Sequence, residues 1–288
     1  MTTAAVHAPV GSQVVVVIGA SSGIGRETAL WYSRRGDYLV LAARTGEALE
    51  RVAGECRREG AAEVLVQPTD ISDADRVQLL FDRTVERFGR VDVAAQCAAI
   101  TAFGRFEDLP VDVFENIVGT NLFGGANVAR SALTHFQARG TGHLVLVGSL
   151  LGVMAAPYQS AYVVSKFGIS GLVRALRQEN RHLPDIRIHG IYPGPVDTPV
   201  YNKAGNYLGR TPIVPPTADA PEVVAAAIVR ATNRRRSSER QVGLVNRPAI
   251  AFYRLLPRLF DAVIGPLLQA VSFSPEQTDA TAGNVFEA

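Results

Sequence analysis

Short apolar runs alternate with polar stretches of helical spacing along most of the chain. QVVVVIG at 13–19 is β-branched, stops at a glycine and predicts a buried strand. GIGRETALWYSRRG at 23–36 is amphipathic, closes at Gly36 and predicts a helix. The pair then recurs. Strands are predicted at 38–44, 63–70 and 90–96, with helices at 45–60, 73–89 and about 111–138. GHLVLVGS at 142–149 reads as a strand, 159–181 as a helix and IRIHGIYPG at 186–194 as a strand. A helix over 219–232 and a short strand near 241–245 follow. This alternation predicts an α/β fold: a doubly wound, mostly parallel sheet with helices on both faces.

The pattern also divides the chain. Residues 1–11 are small and polar and are expected to be disordered; 12–246 form one catalytic-size domain. Residues 247–272 form an amphipathic helical extension, and 273–288 read as a flexible tail. In the extension, Phe252, Leu255, Leu256, Leu259, Phe260, Val263 and Leu267 recur at helical spacing. Arg254, Arg258 and Asp261 interrupt them, and Pro257 and Pro266 should break or kink the helix. Three readings stand: packing on the body or a partner subunit, a lid over the substrate loop, or a helix lying on a membrane surface. The loop at 194–218, rich in Gly and Pro, is long enough to be functional or mobile.

Composition narrows the classes. The chain has 288 residues, is 47% hydrophobic and carries a net charge of +2, which excludes the dense basic surface of a nucleic-acid binder. RRRSSER at 234–240 reads as a solvated loop. Cys56 and Cys97 make no disulfide framework, which points to a reducing, cytoplasmic setting. The first residues lack the pattern of a signal peptide, and no apolar run is long enough to span a bilayer. The five histidines show no metal-ligand spacing, so no metal is expected.

Candidate chemistry begins with GASSGIG at 19–25, between the first strand and the first helix. Gly19 allows a tight turn, Gly23 lets backbone approach a ligand, and Gly25 permits close helix–strand packing. Together with Ser21, Ser22 and Ile24 they present a helix N-terminus to a pyrophosphate, the dinucleotide-binding arrangement of a Rossmann fold. The second strand ends Ala42, Ala43, Arg44, with no acid to hold a ribose 2′-hydroxyl. The planar cationic fork of Arg44 suits a 2′-phosphate, so NADP(H) is the preferred cofactor and NAD(H) the alternative. Without that role Arg44 is a surface residue. Asp70, followed by Ile71, either accepts a hydrogen bond from adenine, begins a turn or caps the helix after Ser72.

YVVSK at 162–166 sets Tyr162 and Lys166 on one helix face. Alone, this spacing fits an ordinary helix as well as a proton-transfer pair. In order with GASSGIG, Asp70, TNLFG at 120–124, GS at 148–149 and PGPVDT at 193–198, it makes the chain resemble a short-chain dehydrogenase/reductase over about residues 13–245. The resemblance implies a tetrad. Tyr162 is the general acid in carbonyl reduction and the base in alcohol oxidation. Lys166 lowers the phenol from its ordinary value near ~10 and holds the nicotinamide ribose. Ser149 hydrogen-bonds the substrate oxygen, and Asn121 supports a water linking Lys166 to solvent. Ala98, Ala99, Pro193, Gly194, Val196 and Thr198 complete the implied cofactor contacts, Thr198 at the carboxamide. The family also implies a homodimer or homotetramer paired through the fourth and fifth helices.

Two motifs depart from the family. Ile18 stands where a threonine precedes the first glycine, and Gln96, Cys97, Ala98 and Ala99 stand for Asn-Asn-Ala-Gly. Ile18 and Cys97 are expected to be a compensated swap, both members of a polar pair replaced by apolar groups. The methyl of Ala99 is expected to crowd the cofactor ribose. Leu150, Leu151, Met154, Tyr158, Tyr201 and Tyr207 are the candidate substrate-pocket residues, apolar or aromatic, suited to an apolar ketone, aldehyde or secondary alcohol. The function expected is hydride transfer between nicotinamide and such a substrate. The alternative is a dinucleotide-binding sensor or scaffold with little or no turnover.

Overall fold

Val14, Val16 and Ile18 face one side of the first strand and Val15 and Val17 the other, and all five are fully buried. A strand covered on both faces belongs at the centre of a sheet, and that is where it lies. The structure is a computed structural model that describes residues 8–9 and 11–286. Most of the 1–11 segment therefore lies outside the described residues.

In chain order the strands and helices are β1 (Val14–Ile18), α1 (Gly23–Ser33), β2 (Tyr38–Ala43), α2 (Gly46–Arg58), β3 (Glu63–Pro68), α3 (Ala74–Phe88), β4 (Val93–Gln96) and β5 (Ala102–Phe103). There follow α4 (Val111–Val118), α5 (Gly124–Arg139), β6 (Gly142–Val147), α6 (Ser160–Glu179), β7 (Ile186–Pro193), α7 (Val200–Lys203), β8 (Gly205–Asn206) and β9 (Arg210–Pro212). The chain continues with α8 (Pro221–Thr232), β10 (Ser238–Val242), α9 (Asn246–Leu255), α10 (Pro257–Val271) and β11 (Phe273–Gln277).

Seven parallel strands form the main sheet, in the order β3–β2–β1–β4–β6–β7–β10. Helices α3, α5 and α6 cover one face through Phe81, Val128 and Ile169. Helices α1, α2 and α8 cover the other through Tyr32, Leu49 and Ile228. The fold is thus the expected doubly wound Rossmann type. Ile18 stands in register with Ala42 on one side and Gln96 on the other. The chain leaves β1 toward β2 and returns to β4, so the strand order reverses beside β1, which opens a crevice at the carboxyl edge.

The stretch expected as one helix at 111–138 is α4 and α5 joined by a π-helical turn, Gly119–Phe123. Glycines follow it because α5 lies close to its neighbours: a Cβ on Gly124 would stand 2.7 Å from the Ile71 side chain, and one on Gly125 2.7 Å from Ile169. The extension breaks where expected, with Pro257 as the first residue of α10 and Pro266 inside it. The flexible tail expected at 273–288 is corrected over its described part. Phe273–Gln277 pairs antiparallel with β9, and Val285 is fully buried. Main-chain hydrogen bonds, to which composition is blind, hold this segment.

Between β6 and β7, His143 and His189 stack with rings 9° from parallel and a 3.2 Å nitrogen–nitrogen contact. The second nitrogen of His189 meets the Ser238 hydroxyl at 2.9 Å. Burial and nearby arginines push His143 down to about 4 and His189 to about 3.

Candidate active site

The carboxyl ends of β1, β2, β4, β6 and β7 open into one cavity of about 660 Å³. Its wall includes every residue named above as a cofactor contact, from Gly19 in the glycine loop to Thr198 after β7. Ser149, Tyr162 and Lys166 also line it, as do Leu150, Leu151, Met154, Tyr158 and Tyr201. Asn121 and Tyr207 do not.

The glycine loop needs its glycines for reasons of space. Gly19 sits at φ +78°, and a Cβ there would lie 2.6 Å from the Ala98 nitrogen. A Cβ on Gly25 would overlap the Gly19 carbonyl. Gly23, at φ +52°, faces Thr198, whose methyl would be 2.9 Å from an added Cβ. Ser22 makes no side-chain cap, and the first turn of α1 holds no acid. The N–H groups and dipole there remain available to an anion, so the residues present fit a pyrophosphate.

At the end of β2, the Arg44 guanidinium donates to the main-chain carbonyls of Asn284 at 2.8 Å and Val285 at 3.4 Å. Asp70 takes its turn-forming option: one carboxylate oxygen accepts from the Ser72 amide at 2.9 Å and hydroxyl at 2.7 Å. It does so while lining the cavity. Gln96, which sequence reasoning did not assign a role, folds its amide back on Ala98, accepting from its N–H at 2.6 Å and donating to its carbonyl at 3.2 Å. It fixes the turn that carries Ala98 and Ala99 along the cavity. Ile18 and Cys97, expected as a compensated swap for a polar pair, fall in different apolar clusters. Ile18 packs on the face covered by α3 and α5, whereas Cys97 packs with the cluster under α8. Their backbones meet where the Cys97 N–H donates to the Ile18 carbonyl at 2.9 Å. Burial pushes the Cys97 thiol up to about 12, which leaves it a neutral filler.

Tyr162 and Lys166 lie on α6, the ammonium 5.5 Å from the centre of the phenol ring. Lys166 is buried, donates to the Val147 carbonyl at 3.0 Å, and is lowered to about 8 by burial. Burial also raises the Tyr162 phenol to about 12, against a downward pull from the nearby Ser149 hydroxyl. Among the chain's own groups, desolvation is the larger effect on the phenol. The Ser149 hydroxyl accepts from the Leu151 N–H at 3.1 Å, which fixes the oxygen beside the phenol.

Asn121 sits behind the cavity wall, in the π-helical turn. Its amide pairs twice with Ile100, accepting from the N–H at 2.9 Å and donating to the carbonyl at 2.8 Å. It also donates to Ser165 at 3.1 Å, and Ser165 in turn donates to the Tyr162 carbonyl at 2.8 Å. Asn121 thus ties the loop after β4 to the helix that bears the tyrosine. Tyr207 was expected in the pocket but packs over Gly104 with Phe114, because its N–H bonds the Phe103 carbonyl at 2.6 Å. That pairing carries the loop away from the cavity.

The roof came from residues with no motif. Ile264, Leu267, Leu268 and Val271 of α10, and Phe273 and Asn284 beyond it, line the same cavity. The helical spacing in the extension was the one available signal for this wall, part of which also packs on the body, Phe260 against Leu150 and Met154. Tyr158 is the one non-glycine residue at positive φ, +71°, among the described residues. Its hydroxyl accepts from the Gln269 amide at 2.6 Å, which joins α10 to the loop before Tyr162. No cluster of three potential metal-ligating side chains occurs among the described residues. No described helix is long and apolar enough to cross a membrane.

A family described as short chain dehydrogenase matches residues 13–207. An uncharacterized oxidoreductase of Bacillus subtilis, YxnA, is 31% identical over 264 residues, covering 89% of this chain and 72% of that protein. The sepiapterin reductase of Chlorobaculum tepidum is 32% identical over 219 residues, covering 74% of this chain and 89% of the relative. Among solved structures, an alcohol dehydrogenase from the archaeon Thermococcus sibiricus complexed with 5-hydroxy-NADP superposes with a TM-score of 0.71 at 29% identity, covering 82% of this chain and 99% of that one.

Proposed function

This chain belongs to the short chain dehydrogenase family of oxidoreductases, and on that premise we propose that it is an NADP(H)-preferring reductase or dehydrogenase acting on apolar ketones, aldehydes or secondary alcohols. The observation that carries the reading is the convergence of Ser149, Tyr162 and Lys166 on one cavity with the glycine loop. The nicotinamide, when bound, supplies or accepts the hydride at its C4. The glycine loop and the α1 N-terminus hold the pyrophosphate, and Arg44 is the partner for a 2′-phosphate. NAD(H) is the weaker cofactor in this reading.

Tyr162 holds the proton. With its phenol raised to about 12 it is protonated at neutral pH, the form needed to donate to a developing alkoxide. Ser149 accepts from the Leu151 N–H and keeps its own proton to donate to the phenol or to the substrate oxygen. Lys166, lowered only to about 8, remains mostly charged at neutral pH and favours the tyrosinate left behind. Asn121 acts as a positioning residue, through Ile100 and Ser165. Leu150, Leu151, Met154, Leu267, Leu268 and Phe273 exclude water and select an apolar substrate.

Exposed Val111 and Phe123 on α4 and the π-helical turn, with Val164 and Phe167 on α6, support a homodimer or homotetramer through these helices. In this reading 12–246 form the catalytic domain, and 247–272 are a lid whose outer leucines (Leu255, Leu256, Leu259) also suit contact with a membrane surface. The setting proposed is cytoplasmic. Tyr162→Phe should lower turnover about 10²- to 10⁴-fold while NADPH still quenches protein fluorescence on titration. Undiminished turnover of an apolar ketone by that variant would remove the phenol from the mechanism.

A further inference from the structure

Asn284 bridges the mouth of the cavity through its two main-chain groups. Its N–H donates to the Lys203 carbonyl at 2.8 Å, on the substrate side, and its carbonyl accepts from Arg44 at 2.8 Å, on the nucleotide side. The segment that presents it, 273–286, is anchored along its length. Ile213 donates to Ser272 at 2.8 Å, and the Arg210 side chain reaches the Ser274 carbonyl at 2.9 Å. Asn206 and Thr281 exchange two hydrogen bonds, at 2.7 and 2.9 Å. Gly283, at φ +56°, turns the chain against Lys203 and Ala204 where a side chain would collide with their backbone. Val285 is fully buried in the apolar cluster of Ile100, Val113 and Ile117, behind the turn that follows β4. The segment is a strap that crosses from the substrate loop to the end of β2.

The guanidinium proposed above to hold the 2′-phosphate is therefore the one on which the strap closes. We propose that the strap is a cofactor selector: a 2′-phosphate competes with the Asn284 and Val285 carbonyls for Arg44 and lifts the end of the strap, whereas a 2′-hydroxyl leaves it seated. The inference rests on the reading of Arg44 as the 2′-phosphate partner. Chemistry sets the direction. A carbonyl is a neutral acceptor, while a phosphate dianion makes charge-assisted, bidentate hydrogen bonds to the same fork and outcompetes it. A 2′-hydroxyl offers no such gain, so NADH has nothing with which to displace the strap. Occupation of Arg44 by the strap lowers NADP(H) affinity by the cost of undocking, and the strap thereby sets how far NADP(H) is preferred.

The test compares the full chain with one ended after Ala280 and with Val285→Asp, which undocks the strap without shortening it. NADPH and NADH are titrated by fluorescence. Both variants should tighten NADPH about ten- to a hundredfold, the worth of a hydrogen bond from a charged donor, and change NADH less than about twofold. In the full chain, NADPH should speed hydrogen exchange at the Thr281 and Asn284 amides and NADH should not. An unchanged NADPH-to-NADH ratio in both variants, or weaker NADPH binding, overturns the selector. Arg44→Ala in the shortened chain separates the two ideas. If it leaves the ratio unchanged, the 2′-phosphate reading falls and the selector with it. If it lowers the ratio while shortening the full chain does not change it, the selector alone falls.

Discussion

The floor and the roof of the cavity are built in different ways. The floor is the ends of β1, β4, β6 and β7 with the first turns of α1 and α6, and its side chains are buried from both faces of a parallel sheet. The roof is the loop after β7, α10 and the strap, joined by hydrogen bonds between residues far apart in sequence and by small apolar clusters around Phe260, Phe273 and Val285. Of the residues of α10, only Phe260 is buried. A floor of interlocked strands opens only with the whole domain, while a roof with few buried apolar contacts opens locally at small cost. The chemistry is therefore held rigidly, and access to it is left adjustable.

Three variants would break or sharpen that contrast. The largest effect should come from Gly19→Val in the floor. It forces a β-branched residue to φ +78° and drives Cβ into the Ala98 backbone. Strain of about 1–3 kcal/mol and overpacking of similar size should lower the melting temperature by roughly 10 °C and abolish cofactor binding. A Gly19→Val protein that melts with the parent would mean that the floor yields as easily as the roof.

The second effect is acid sensitivity of the sheet. His143 and His189 are neutral in the fold down to about 4 and about 3, while the unfolded chain protonates its histidines near ~6.5. Above pH 6.5 neither state carries the charge and the pair contributes no pH dependence. As the pH falls below that value, the unfolded state binds protons that the folded state refuses. Stability then drops by as much as about 1.4 kcal/mol per pH unit for each histidine, until the folded values are reached. Thermal melts between pH 7 and pH 4 should show a smaller loss for the His143→Leu, His189→Leu double variant than for the parent. Equal slopes would exonerate the pair.

The smallest effect belongs to the roof. Gln269→Ala removes one exposed hydrogen bond to Tyr158, so the melting temperature should stay within about 2 °C of the parent. KM for a bulky apolar ketone should shift by about two- to threefold with kcat retained, the sign of a binding rather than a chemical role. A large fall in kcat instead would tie the lid to the proton-transfer step.

The same contrast marks what the sequence made legible. The inner strands β1, β2, β4, β6 and β7 were readable because burial leaves a mostly apolar run, whereas the edge strand β10 (SERQV) is half-buried and polar, so its first residues were read as part of a solvated loop at 234–240 and the strand was expected later, near 241–245. The glycine loop was readable because its turn tolerates no other residue. The π-helical turn at 119–123 was not: it changes the hydrogen-bond spacing without changing the apolar period, so 111–138 looked like one helix. The strap was missed because main-chain bonds and two buried side chains far apart in it, Phe273 and Val285, hold it, and neither gives a periodic pattern. Tyr207 was misplaced for a related reason, since the short β5–β8 pairing that redirects it leaves no periodic trace. Arg44 was legible as a cation at a strand end, but the carbonyls that engage it lie about 240 positions away in the chain.

The seating of Thr198 against Gly23 has a last consequence. The loop that borders the substrate is also a wall of the nucleotide cleft, so neither ligand meets a surface indifferent to the other. If the first to arrive orders this shared wall, the second is spared that loss of entropy and the pair bind cooperatively. Thermodynamic reciprocity then requires the substrate to tighten the nucleotide by the same factor by which the nucleotide tightens the substrate.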